Sequence, residues 1–251
     1  WTPGMERLFY GKADGRQLVF IAPGDKELMS RLNGRIFQRA PDSITHLREI
    51  DPSKIGRFLV SRKQLKDIMD RREEQGAYSW TLCTFPTKEL ATQAKSNLKR
   101  YSEQIIKACY LDKDDPVGQW QWIYKEVAQI KKWLNSLAVK QFIIDSQIID
   151  LRITPGEKRR WIGISGHNIP SFELFLSPDW RGTEGTYLAN LPSFRSGNYV
   201  EDVRITFEKG VARKVTAKTG EAFARKQLDM DKGARAVGEF SESLSRVAGR
   251  G

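Results

Sequence analysis

Residues 115–154 read DPVGQWQWIYKEVAQIKKWLNSLAVKQFIIDSQIIDLRIT, and a change of rhythm inside this stretch sets the fold class. Trp120, Ile123, Val127, Ile130, Leu134 and Leu137 recur at three- and four-residue steps, which places them on one face of a helix. Asp115 is a suitable N-cap, and Pro116 fits a first turn that has no use for its missing N–H. Such a stripe is read as core or interface, not as a cofactor box. After Ala138 the spacing shortens to strand-like runs at residues 142–144, 148–153 and 161–164, broken by Pro155-Gly156. A domain boundary near residue 140 follows.

Working outward, residues 17–22 and 35–39 are short apolar runs closed by Pro23 and Pro41, and both read as strands. Between them and the central helix, Ile55, Phe58, Leu59, Leu65, Ile68 and Met69 keep helical spacing up to Gly76. Residues 78–85 read as a further strand, and Pro86-Thr87 opens another helix. Towards the C-terminus, residues 203–207 and 211–217 flank Glu208-Lys209-Gly210 as a hairpin, and helix resumes from Gly220. The expected architecture is α/β (α+β overall): an α/β layer domain over residues 1–140, then a β-rich domain over 141–251.

With 251 residues, 39% of them hydrophobic, the chain has enough apolar material for a packed core. No apolar run approaches the roughly 20 residues that cross a bilayer, so no membrane partner is expected. Two cysteines are too few for a disulfide framework and lack zinc-binding spacing, which fits a reducing cytoplasmic setting. The net charge of +11 invites a nucleic-acid partner. The basic residues are nonetheless spread along the chain and interleaved with acids, as in Glu201-Asp202-Val203-Arg204, which argues against specific nucleic-acid binding.

Two segments carry candidate chemistry. Residues 165–175, SGHNIPSFELF, place Glu173 just after a proline-fixed loop at the start of an extended run; residues 231–240, DKGARAVGEF, read as a short helical pattern ending in Gly238-Glu239. Taken singly, each glutamate reads as an ordinary surface residue. Their order, together with WTLCTFPT at 80–87, ACYLDKDDPVGQW at 108–120, Trp133-Leu134-Asn135, Asp150-Leu151-Arg152, Trp161 and Ser177-Pro178-Asp179, resembles the thermophilic metallo-aminopeptidase (aminopeptidase T/S) family.

The resemblance implies that Glu173 and Glu239 are ligands of a site holding two divalent metal ions, zinc, cobalt or manganese. It also implies hydrolysis of N-terminal residues from peptide substrates by a homodimer. Two metals about 3.5–4 Å apart need anionic oxygens between them, and 66 residues separate these glutamates (239 − 173), so only tertiary folding brings them together. The family's later histidines, carboxylates and tyrosine have no counterpart in a chain with only His46 and His167. The expectation is therefore of a chain incomplete at both ends and inactive alone. The alternative is a truncated, non-catalytic binding or regulatory module of the same fold.

Overall fold

A computed structural model describes residues 2–195 and 197–243. The chain forms two compact units, Trp1–Asp112 with Gly166–Pro170, and Lys113–Ser165 with Ser171–Gly251. The first division falls at Asp112–Lys113, whereas the change of rhythm had pointed to residue 140; the long helix belongs to the second unit. Helices and strands are mixed, in agreement with the α/β class.

The first unit comprises helices α1 (Pro3–Lys12), α2 (Gly15–Val19) and α3 (Asp25–Arg31), strand β1 (Gly34–Arg39), helix α4 (Pro52–Glu74), strand β2 (Ser79–Thr84), and helices α5 (Lys88–Gln93) and α6 (Leu98–Ala108). Asn168–Ile169, β5 in chain order, is its third strand. β1, β2 and β5 lie side by side in that order, all parallel. The strand expected at residues 17–22 is absent. Asp14 Oδ1 accepts from the backbone N–H groups of Arg16 and Gln17, and Gln17 Oε1 accepts from Asp14 N–H. This reciprocal cap starts a helix and overrides the β-forming preference of Leu18 and Val19. Leu18 then joins Tyr10, Ala13 and Ile55 in a core closed by edge-to-face contacts among Phe9, Tyr10 and Phe58. α4 begins as its sequence indicates, with Asp51 capping Ser53 N–H and Pro52 in the first turn.

The second unit opens with helix α7 (Pro116–Ser136), capped by Asp115 through Gly118 N–H at 2.8 Å, with Ile123 and Val127 buried. Strands β3 (Phe142–Asp145), β4 (Ile149–Thr154), β6 (Glu173–Leu176), β7 (Asp179–Ala189), β8 (Ser193–Arg195), β9 (Asn198–Val200), β10 (Val203–Glu208) and β11 (Val211–Thr216) follow, then helix α8 (Glu221–Leu228) and strand β12 (Phe240–Ser243). A five-stranded antiparallel sheet runs β11-β10-β7-β4-β3. β4 shows the alternation of a one-sided sheet: Leu151 and Ile153 are buried with Phe207 and Ala212, while Asp150 and Arg152 face outward. The hairpin at 208–211 turns through Lys209 and Gly210, both at positive φ (50° and 77°), the pair of angles a two-residue type I′ loop needs.

Two expectations are corrected in this unit. Residues 161–164 contribute only an isolated bridge, Ile162 to Phe175. The helical pattern expected from Asp231 is a series of turns: Ala234 N–H donates to Asp231 O and Ala236 N–H to Gly233 O, three-residue closures that do not continue into an α-helix, although Asp231 Oδ1 accepts from Gly233 and Ala234 N–H as an N-cap would.

β7 also contains Thr183, which is fully buried and whose hydroxyl has no hydrogen-bond partner among the described residues. A buried unmet hydroxyl costs about 1–3 kcal/mol, so Thr183→Val is expected to raise the unfolding free energy by about 1 kcal/mol, read as a higher urea midpoint at unchanged slope.

Candidate functional site

Glu173 opens β6, and this strand is held along both edges. On one side β12 pairs with it antiparallel, with Phe240 opposite Leu176 and Ser243 opposite Glu173. On the other, Ile162 and Phe175 exchange two backbone hydrogen bonds of 2.8 Å. The 161–163 segment is itself fixed to α7. Asn135 Nδ2 donates to Trp161 O (3.1 Å) and Asn135 Oδ1 accepts from Trp161 N–H (2.8 Å), while Lys131 Nζ, one turn earlier, donates to Gly163 O (3.2 Å). Gly163 lies against the backbone of Glu173 so closely that a Cβ there would sit 2.3 Å from the Glu173 carbonyl oxygen.

Of the two sequence-predicted glutamates, Glu173 lies in the β6–β12 ribbon and Glu239 immediately precedes it. Side chains alternate with a period of two, so within the ribbon Glu173 shares its face with Phe175, Ser241 and Ser243. Leu174, Leu176 and Phe240 take the other face, where both leucines are buried. The two glutamates are not opposite one another. Glu173 faces Ser243, four residues past Glu239 (243 − 239), which at about 3.4 Å per residue is roughly 14 Å along the ribbon. Both are exposed.

Two carboxylates are fewer donors than even one four-coordinate metal needs. Among the described residues no group of three or more His, Cys, Asp or Glu is arranged to hold a metal. The donors are of the right kind, but the described residues do not by themselves make a metal site.

Both histidines are engaged inside the first unit. His46 sets Nε2 at 2.7 Å from Glu6 Oε2 and Nδ1 at 3.1 Å from Ser43 O. His167 stacks on Trp80, with ring centroids 4.4 Å apart and planes inclined by 4°, and its Nε2 lies 3.0 Å from Glu73 Oε1. The other Glu73 oxygen accepts from Trp80 Nε1 at 3.2 Å. With Leu82 N–H donating to His167 O and Thr81 Oγ1 to Gly166 O, these contacts fasten the segment that carries β5. Sequence reasoning named neither this cluster nor the Asn135 clamp. The available signal was Gly163, since a glycine inside a strand-like run marks close backbone approach.

Residues 1–246 match the profile of the thermophilic metalloprotease (M29) family. The chain belongs to that family. It is 26% identical over 210 residues to aminopeptidase T of Thermus thermophilus, covering 78% of this chain and 52% of the relative. It is 25% identical over 212 residues to aminopeptidase 2 of Geobacillus stearothermophilus, covering 78% and 51%. This M29 chain thus spans about half the length of the curated relatives it matches. The solved structure of wild-type AmpT from Thermus thermophilus superposes with a TM-score of 0.78 over 97% of this chain and 64% of that one. At 22% identity, this likeness is one of fold.

Proposed function

We propose that this M29 member serves a metal-dependent aminopeptidase that releases N-terminal residues from peptides, with Glu173 and Glu239 contributing carboxylates to a site for two divalent ions, zinc, cobalt or manganese. The reading rests on family membership across residues 1–246. Glu173 opens β6 and Glu239 immediately precedes β12, the strand paired with it, so both lie in one region of the second unit. We further propose a cytoplasmic homodimer; neither Cys83 nor Cys109 is in a disulfide, as a reducing compartment allows. No described helix is long and apolar enough to cross a membrane.

The shortage of donors among the described residues favours a second reading, a non-catalytic binding module of the same fold. One assay separates the two. The complete gene product, stripped with chelator and resupplied with zinc or cobalt, is expected to hydrolyse aminoacyl-p-nitroanilides only when metal is present. A protein with metal bound and no release of p-nitroaniline would rule out the peptidase and leave the binding module.

A further inference from the structure

The second unit also holds a cavity of about 720 Å³ whose floor includes Trp161, Leu176 and Phe142, within the roughly 300–1,000 Å³ usual for ligand pockets. Phe142, Trp161 and Phe240 pack as an aromatic trio with centroids 5.2 to 5.7 Å apart. Leu176 and Phe240 occupy the ribbon face opposite the one that carries Glu173, so this cavity is distinct from the Glu173 face.

Its rim is cationic. Lys140 and Arg159 line it, and an adjoining recess of about 640 Å³ shares Arg159 and adds Lys132, Lys158 and Arg160. Two acids oppose these five cations, Glu157 and Asp179. Asp179 is already occupied by Arg181, at 3.1 Å. Among the described residues, none of the five cations makes an ion pair. Arg159 is held in place by the turn before it: Gly156, at φ +89°, accepts from Arg159 N–H, and its missing side chain leaves room for the Arg159 stem, whose Cγ would lie 3.2 Å from a Cβ at that position.

We propose that this cavity binds the C-terminal end of a peptide whose last residue is apolar. The apolar side chain lies over the Trp161–Phe142 floor, and the terminal carboxylate meets Arg159, whose planar fork suits a carboxylate, with Lys140 beside it. Thr154, Asn135 and Glu157 intersperse polar groups along the wall, which suits a ligand with backbone amides better than an alkyl chain. The aromatic rings form a recessed floor with Trp161 buried, unlike the exposed platforms on which nucleic-acid bases stack. The choice of a peptide over other apolar carboxylates rests in part on the peptidase reading.

The test is calorimetric titration of the protein with N-acetyl-alanyl-phenylalanine, its C-terminal amide, decanoate and a single-stranded oligonucleotide. The acid is expected to bind, the amide at least about tenfold more weakly, the difference one charged hydrogen-bonding group makes. Arg159→Glu, on an exposed side chain, should lower affinity for the acid by about tenfold or more, with circular dichroism unchanged. Equal binding of acid and amide, indifference to Arg159→Glu, or binding of decanoate or oligonucleotide in place of the peptide would each overturn the proposal. Anilide hydrolysis by the complete gene product with no peptide binding would defeat this inference alone, whereas peptide binding without hydrolysis would uphold it and defeat the peptidase.

Discussion

Glu173→Gln and Glu239→Gln are each expected to lower metal-dependent anilide hydrolysis by the complete gene product by at least about 100-fold, since even groups that only support a metal ligand are worth about 10–100-fold. Glutamine keeps the shape and removes the anionic charge that divalent ions require. Because Glu173 and Glu239 are exposed, neither change should alter the unfolding transition. Zinc titration should show the loss as weakened binding. The 251-residue polypeptide is expected to bind zinc weakly and to release no amino acid, because its described residues group no third donor with these two. Robust metal-dependent turnover by that polypeptide would overturn the donor count, and full activity in either variant would remove that glutamate from the site.

Gly163→Ala is expected to lose roughly 2–6 kcal/mol of unfolding free energy, about 1–3 from a strained φ and about 1–3 from overpacking. Gly163 sits at φ +138°, and the added methyl would press on the Glu173 carbonyl oxygen. That oxygen belongs to the strand itself, so relief requires β6 to move. Gly166 supplies the control: it too has positive φ, +86°, but a Cβ there meets nothing within 4 Å. Gly166→Ala should therefore show only the backbone part of the loss. Urea unfolding of both variants measures the difference, and equal destabilisation would mean the contact with β6 contributes little.

The elements that could be read from the sequence are those whose signals are local and agree with one another. α7 has a cap, a first-turn proline and an apolar stripe, and it spans Pro116–Ser136 as its pattern indicates. The 208–211 hairpin is fixed by a glycine at a position needing positive φ. Residues 17–22 misled because two local signals compete, and the cap at Asp14 prevails over the apolar run. Residues 231–236 misled in the reverse sense: alanines and arginines favour helix and Asp231 offers a cap, yet the backbone closes only three-residue turns, Ala234 N–H to Asp231 O and Ala236 N–H to Gly233 O.

For the candidate site, Glu173 and Glu239 were named through resemblance, because a lone glutamate has no periodicity to mark it. What surrounds them is long-range. Asn135 clamps Trp161 from 26 positions away. His167 meets Glu73 and Trp80 from 94 and 87 positions away (167 − 73 and 167 − 80), with a long stretch of the second unit between. Neither pairing leaves a trace in spacing.

The chain leaves the first unit at Asp112–Lys113, re-enters it at Ser165–Gly166 and leaves again at Pro170–Ser171. Neither unit therefore corresponds to one uninterrupted stretch of gene. A fragment of residues 1–112 would lack β5 and uncover the edge of β2 against which it pairs, an invitation to self-association. Exchange between relatives at a single splice point would always carry part of one unit away with the other, so the two are inherited together or not at all.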